Sequence, residues 1–231
     1  MRRYIYRSIL KEGAGLRVES TSEDDRSGIR NLVDNGKLMT LSLYRLGMSL
    51  FLYYECSGDT LAPGQLFPGF DNVLETRPDD RGGLKWIPMA DIFHFSEPRD
   101  AEHWRRKDPV HRRVGMAARI KSEMLSSYIY HHYLLQETQL LIINKYCMIG
   151  LDGNLIFYYE EQPVVSETRI GKGKPDSHYM SSDWMDTWQE IMEPHFIKWN
   201  DVSESEKNLR PCEMLFECAQ DTAIRISRRE A

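Results

Sequence analysis

Two stretches, "LYRLGMSLFLYYE" (43–55) and "MIGLDGNLIFYYE" (148–160), decide how this chain folds. Each has a short strand-like run, a turn centred on glycine, and an apolar strand ending in Tyr-Tyr-Glu. They align without gaps, placing Leu46 on Leu151, Leu50 on Leu155, and Tyr53-Tyr54-Glu55 on Tyr158-Tyr159-Glu160. The turns "RLGMS" and "GLDGN" suit hairpins, because Gly and Asn tolerate positive φ. A second matched pair follows in the same order: "IPMADIFHF" (87–95) and "RPCEMLFEC" (210–218), each a Pro followed by an apolar strand with a central Phe. Two pairs in register point to an internal duplication.

Working outward, the second half reads as a strand, "RVGMAARIK" (113–121), and a helix, "SEMLSSYIYHHYLLQETQLLII", opened by Ser122 as cap. The 144–160 hairpin follows, then a helix within "DSHYMSSDWMDTWQEIMEPHFIKWN", then the closing strand "CEMLFECA". The order β-α-β-β-α-β is that of a ferredoxin-like unit. The first half offers the strand "YIYRSILKE", a helix over 21–35, the 38–55 hairpin, a Gly/Pro-broken segment (58–83) in place of the second helix, and a strand over 85–95. The expected fold class is α+β. Residues 1–95 form a degenerate half, 96–112 a linker and 113–231 a complete half, and the two combine into a pseudo-dimeric α/β barrel within one chain, since apolar sheet faces need covering.

The bulk properties narrow the function classes. The 231-residue chain has a formal net charge of −5, with 41% hydrophobic and 28% charged residues, an ordinary soluble composition. It has no basic face for nucleic acid. The one basic cluster, "HWRRKDPVHRR" (103–113), reads as a solvated linker. No apolar run of about 18 residues suggests a membrane span, and the N-terminus lacks a signal-peptide core. Cysteines 56, 147, 212 and 218 show no zinc spacing and fit free thiols in a reducing, cytoplasmic setting. His178 and His195 lack carboxylate or Cys partners at ligand spacing, so no metal is expected. The loop "GKGKPDS" (171–177) has no Walker Lys-Ser/Thr pair, and a flexible loop is the simpler reading. Trp86 and Trp199 read as core.

Candidate chemistry concentrates in the second half, which carries Tyr128, His132, Tyr146, Trp184 and Trp188. Tyr128 and His132 are four apart, so a helix puts them on one face, while His131 points elsewhere. At the place of Tyr146 the alignment puts Leu41, and the first helix of the first half has neither histidine nor aromatic residue. On spacing alone His132 could be a satisfied helix histidine, Tyr146 strand filling, and the two tryptophans core.

The stretches "RIKSEMLSSYIYHH", "NKYCMIGLDGNLIFYYEE" and "WMDTWQEIM" together resemble the L-rhamnose mutarotase family. The resemblance covers the second half directly and the first only through the repeat. It implies that His132 is the general acid/base, that Tyr128 and Tyr146 position the sugar, and that Trp184 and Trp188 bind it, with no cofactor and no metal. The expected activity is interconversion of anomers of rhamnose or a related pyranose, the partner being a monosaccharide. The chain departs from the family in "YLLQE" after His132 and in Trp188-Gln189, where an adjacent Trp pair is usual. These departures motivate the alternative of a non-catalytic sugar-binding or sensing module. An oxidase or haem-handling barrel is a third reading, because the same fold hosts them.

Overall fold

A computed structural model describes residues 1–14, 22–79, 82–138, 144–166, 182–200, 202–220 and 222–226, with the backbone alone over 182–186 and 222–226. In chain order the strands are β1 (Arg2–Ile9), β2 (Leu38–Leu46), β3 (Ser49–Cys56), β4 (Ile87–Pro88), β5 (Ala90–His94), β6 (Arg112–Ile120), β7 (Met148–Asp152), β8 (Leu155–Gln162), β9 (Phe196–Ile197), β10 (Arg210–Pro211), β11 (Glu213–Ala219) and β12 (Thr222–Ile226). The longer helices are α1 (Glu23–Asp34), α2 (Leu125–Thr138) and α3 (Ser182–Met192). The segment 171–177 and His178 lie outside the described residues. Among those described, no helix is long and apolar enough to cross a membrane.

The fold is α+β, with two antiparallel sheets built on the doubled βαββαβ order. The first sheet runs β12-β11-β2-β3-β1-β4; the second runs β10-β6-β8-β7-β5, with β9 also on β6. Both are open sheets with edge strands, so neither closes into the expected barrel. The cuts also differ from 1–95 and 113–231. One compact unit takes 1–89, 98–110 and 212–231, and the other takes 90–97 and 111–211. The reason is strand exchange. Pro88 and Pro211, which can donate no ladder hydrogen bond, each end a two-residue strand on the half's own first strand. The chain then pairs β5 with β7 and β11 with β2.

The duplication extends to fine detail. Ala90 faces Leu151 and Glu213 faces Arg45, and the two exchanged strands bulge at the same place, between Asp91 and Phe93 and between Met214 and Phe216. The hairpins turn on Gly47 (φ 58°) and Gly153 (φ 63°), a conformation glycine adopts without a Cβ penalty. These turns correct the alignment by one residue. Leu46 pairs with Ser49 and Asp152 with Leu155, which matches Tyr53 to Tyr159 and Glu55 to Glu161. By the same count Thr40, not Leu41, matches Tyr146. "YYEE" accepts "YYE" in two registers, and a one-residue slip exchanges the faces of a strand.

The correct register brings out a repeated Tyr-Glu-Arg triad around a buried glutamate. Tyr53 Oη donates to Glu55 Oε1 at 2.6 Å and accepts from Arg3 Nε at 3.0 Å. Tyr159 Oη donates to Glu161 Oε1 at 2.7 Å, and Arg113 Nε reaches the same oxygen at 3.3 Å. Glu55 and Glu161 are almost wholly buried, so these partners offset the desolvation of a carboxylate.

In the first unit the triad recruits the supposed linker. Arg106 grips Glu55 with Nη1 on Oε2 at 2.6 Å and Nη2 on Oε1 at 2.7 Å, and buried Trp104 donates Nε1 to Oε1 at 2.9 Å. A basic run reads as solvated because arginine is usually exposed; here a buried carboxylate across the fold needs one of its charges.

The first unit's core packs α1 and the 58–83 segment on the sheet. Ser22 caps α1 by accepting from Asp25 N at 3.1 Å, and Ile29 and Val33 turn inward at helical spacing. Helical turns at Pro63–Leu66 and Pro68–Phe70 drive Leu66, Phe67 and Phe70 into a cluster with Tyr54, Trp86 and Phe216. In the second unit Phe93, Ala118, Ile120, Tyr128, Leu135, Ile149 and Ile156 form the core. Trp86 is core, whereas Trp199 is only half-buried, with the Arg119 guanidinium 4.4 Å from its ring centre. Ser122 begins a 3₁₀ turn and makes no cap; α2 starts at Leu125.

Candidate functional site

The second unit contains a cavity of about 790 Å³ between α2, α3 and the sheet. Tyr128, His132, Ile149, Ile156, Tyr158, Trp188, Met192 and Phe196 line it, joined by Gln189, Glu190, Glu193, Asn208 and Leu209. Among the described residues that line it there is no Lys or Arg, and Lys198 pairs with the lining Glu193 at 2.7 Å.

His132 lies on α2 one turn after Tyr128. Its Nδ1 is 2.9 Å from the Tyr128 carbonyl oxygen. A carbonyl only accepts, so Nδ1 carries the hydrogen and the neutral ring keeps its lone pair on Nε2. Burial pushes the His132 pKa down to about 4, against the raising effect of that hydrogen bond. The ring is therefore neutral at pH 7. Aromatic rings fix its plane: Tyr128 at 4.2 Å between centroids, Trp188 edge-on at 5.2 Å and Phe93 edge-on at 5.6 Å.

Two tyrosines line the cavity. Burial, and then the nearby Cys147 thiol, raise the Tyr128 pKa, which keeps it protonated as a donor. Tyr158 Oη donates to Glu160 Oε2 at 2.6 Å, and burial raises its pKa also. The Asn208 Oδ1 atom is buried and has no hydrogen-bond partner among the described residues.

The residues expected from the sequence separate here. Tyr128, His132 and Trp188 come together on one cavity. Tyr146 is buried next to the Lys145 ammonium, 5.7 Å from its ring centre, and is not among the lining residues. The Trp184 side chain lies outside the described residues. His131, on another face, stacks edge-on against buried His195 at 5.8 Å. His195 holds its own satisfied place, with Nε2 accepting from Ser127 Oγ at 2.9 Å and Nδ1 directed at the Met192 carbonyl at 3.3 Å.

Tyr158 and Asn208 were not singled out from the sequence. The alternation of β8 could have found Tyr158, because Ile156, Tyr158 and Glu160 share the face opposite Phe157, Tyr159 and Glu161. Asn208 sits in a loop with no periodic signal.

No protein-family model matches the chain, and no curated protein matches its sequence. Among solved structures it is similar to a putative monooxygenase from Fusobacterium nucleatum, at 9% identity with 98% of this chain and 97% of that one covered and a TM-score of 0.46. A counterpart from Lactobacillus acidophilus gives 6%, 96%, 98% and 0.42. An anthrone oxidase-like protein gives 5%, 95%, 93% and 0.38. Identity this low with TM-scores below 0.5 transfers no activity to this chain.

Proposed function

We propose that the cavity of the second unit opens and recloses the hemiacetal ring of a free pyranose, rhamnose or a related sugar, as a mutarotase-like isomerase. One observation carries this reading: a neutral imidazole with a fixed tautomer faces a cavity rich in hydrogen-bond acceptors. His132 Nε2 accepts, the Tyr158 oxygen accepts because its proton is committed to Glu160, and Glu190 adds a carboxylate, while that of Glu193 is paired with Lys198 at 2.7 Å. Such a wall suits a ligand that presents many hydroxyls. Trp188 offers an apolar face for the C–H side of a ring.

The proton balance closes with one imidazole. Nε2 takes the proton of the anomeric hydroxyl as the C1–O5 bond breaks and the C1=O1 bond forms. The imidazolium, made strongly acidic by burial, passes that proton to O5. Rotation about C1–C2 and the reverse sequence give the other anomer.

The test is anomer exchange by saturation-transfer NMR over a panel of reducing sugars. Acceleration by the wild type, reduced about 10²–10⁴-fold in His132→Ala, is the expected result; no acceleration of any sugar rejects the reading. A low pKa also makes His132 a weak base, which favours a sugar-binding module without turnover as the second reading. Shift changes or line broadening without faster exchange would identify that.

A further inference from the structure

Strand β8 carries two Tyr-x-Glu pairs on opposite faces, and they have different standing. Tyr159–Glu161 is the repeated one: its counterpart is Tyr53–Glu55, both glutamates are buried, and each pair has an arginine on it. Tyr158–Glu160 is not repeated. The corrected register puts Leu52 and Tyr54 at those two places, and both are wholly buried in the first unit's core. The first unit therefore has no such pair at these two positions, and Tyr158 lines the cavity of the second.

Its geometry differs from that of a core pair. Tyr158 donates to Glu160 Oε2 at 2.6 Å, and Gln162 Nε2 holds the other carboxylate oxygen, Oε1, at 3.1 Å. Glu160 and Gln162 are both only half-buried, so the carboxylate joins the cavity face of β8 to water. The Tyr158 hydroxyl proton is directed away from a ligand; its oxygen also shares a hydrogen bond with the Cys147 thiol, and its remaining lone pair is left for a ligand.

We propose that Tyr158 and Glu160 form a second proton-handling pair of this cavity, with Tyr158 touching the sugar and Glu160 acting through it. This rests on the isomerase reading above. A ligand O–H passes its proton to Tyr158 Oη while the Tyr158 proton moves to the Glu160 carboxylate, leaving a ligand alkoxide, a neutral tyrosine and a carboxylic acid. The reverse movement restores the starting state, and no oxidant or reductant takes part. Mutarotation gives such a pair a task. After the open-chain aldehyde turns about C1–C2, O1 lies on the other side of the ring, away from the group that first took its proton. His132 serves the cavity from the helix layer and Tyr158 from the sheet layer, so each anomer has a proton station.

The experiment is anomer exchange measured on full-length wild type, Tyr158→Phe and Glu160→Gln, with the sugar that wild type accelerates most, alongside thermal unfolding of each. Glutamine still accepts the Tyr158 hydrogen bond but cannot take its proton. The expected result is a fall in kcat of about 10²-fold in both variants, KM within about twofold, and unfolding midpoints near wild type. Tyr158→Phe keeps the question decidable should Glu160→Gln unfold. Variants that exchange at the wild-type rate overturn the pair and leave the isomerase reading intact. Wild type without exchange on any sugar overturns both.

Discussion

Phe216 in the first unit and Phe93 in the second occupy the same place on equally bulged strands, yet they meet different neighbours. Phe216 stands at 6.2 Å, edge to face, from Phe67; Phe93 stands at 5.6 Å, edge to face, from His132. The strands around them pair in the same register. What differs is the second connection of each unit. In the first, the Gly/Pro-broken stretch packs Phe67 and Phe70 onto the sheet. In the second, α3 lies across the sheet and offers Trp188, Gln189 and Met192 to a cavity. Proline and glycine make the difference: a chain broken at Pro63, Gly64, Pro68 and Gly69 bends closely enough to fill the space, whereas an eleven-residue helix is a rigid rod that bridges it. A duplicated scaffold thus fills in the first unit the place beside this strand that the second keeps open, and candidate chemistry follows the opening.

The largest expected effects lie in the first unit. Phe67→Ala should lower unfolding free energy by about 3–5 kcal/mol in urea titration, because a packed aromatic ring leaves a cavity. Arg106→Ala should cost a similar 3–5 kcal/mol by leaving the buried Glu55 carboxylate without the guanidinium that grips both its oxygens. Trp188→Ala should cost only about 1 kcal/mol, since its ring already borders open space. Equal losses for Phe67→Ala and Trp188→Ala would erase the distinction between the halves.

Next in size is a pH effect confined to the second unit. The folded-state pKa of His132, about 4, lies below the unfolded value of about 6.5. Between these values the unfolded chain binds the extra proton, so stability should fall as pH drops from about 6.5 to about 4, by about 3 kcal/mol in all. Above that window the contribution is fully present. Urea titrations of wild type and His132→Phe across this range should diverge accordingly, and parallel curves would remove the buried neutral imidazole from the comparison.

The smallest effect separates the first helices. Ser22 caps α1, and Ser22→Ala should cost about 1 kcal/mol. Ser122 precedes α2 without a cap bond, and Ser122→Ala should stay within about 0.5 kcal/mol. A larger loss at Ser122 than at Ser22 would contradict the observed helix starts.

Much of the fold was legible because local rules act on neighbouring residues. Periodicity and turn glycines placed the hairpins, both first helices and the closing strands, and the Pro-initiated pair was correct down to the shared bulge. The site was legible in part: Tyr128 and His132 follow from helical spacing, and Trp188 from the resemblance. Tyr146, expected at the site, is not among the residues that line this cavity, and the Tyr-Tyr-Glu match puts Tyr158 on Tyr53 where the register of the turns puts it on Leu52.

By itself, then, the sequence determined the repeat, the order of strands and helices, and the half in which reactive side chains gather. Each of these depends on residues near one another along the chain. Only the tertiary structure decided that the closing strands are exchanged, that Trp104 and Arg106 complete the first unit, which face of β8 Tyr158 occupies, and that His132 is buried and neutral. Those outcomes depend on burial and on partners some fifty or more residues away, as with Arg106 and Glu55. The free energy of a charge or a polar atom is set by what encloses it, and a linear pattern does not contain that enclosure.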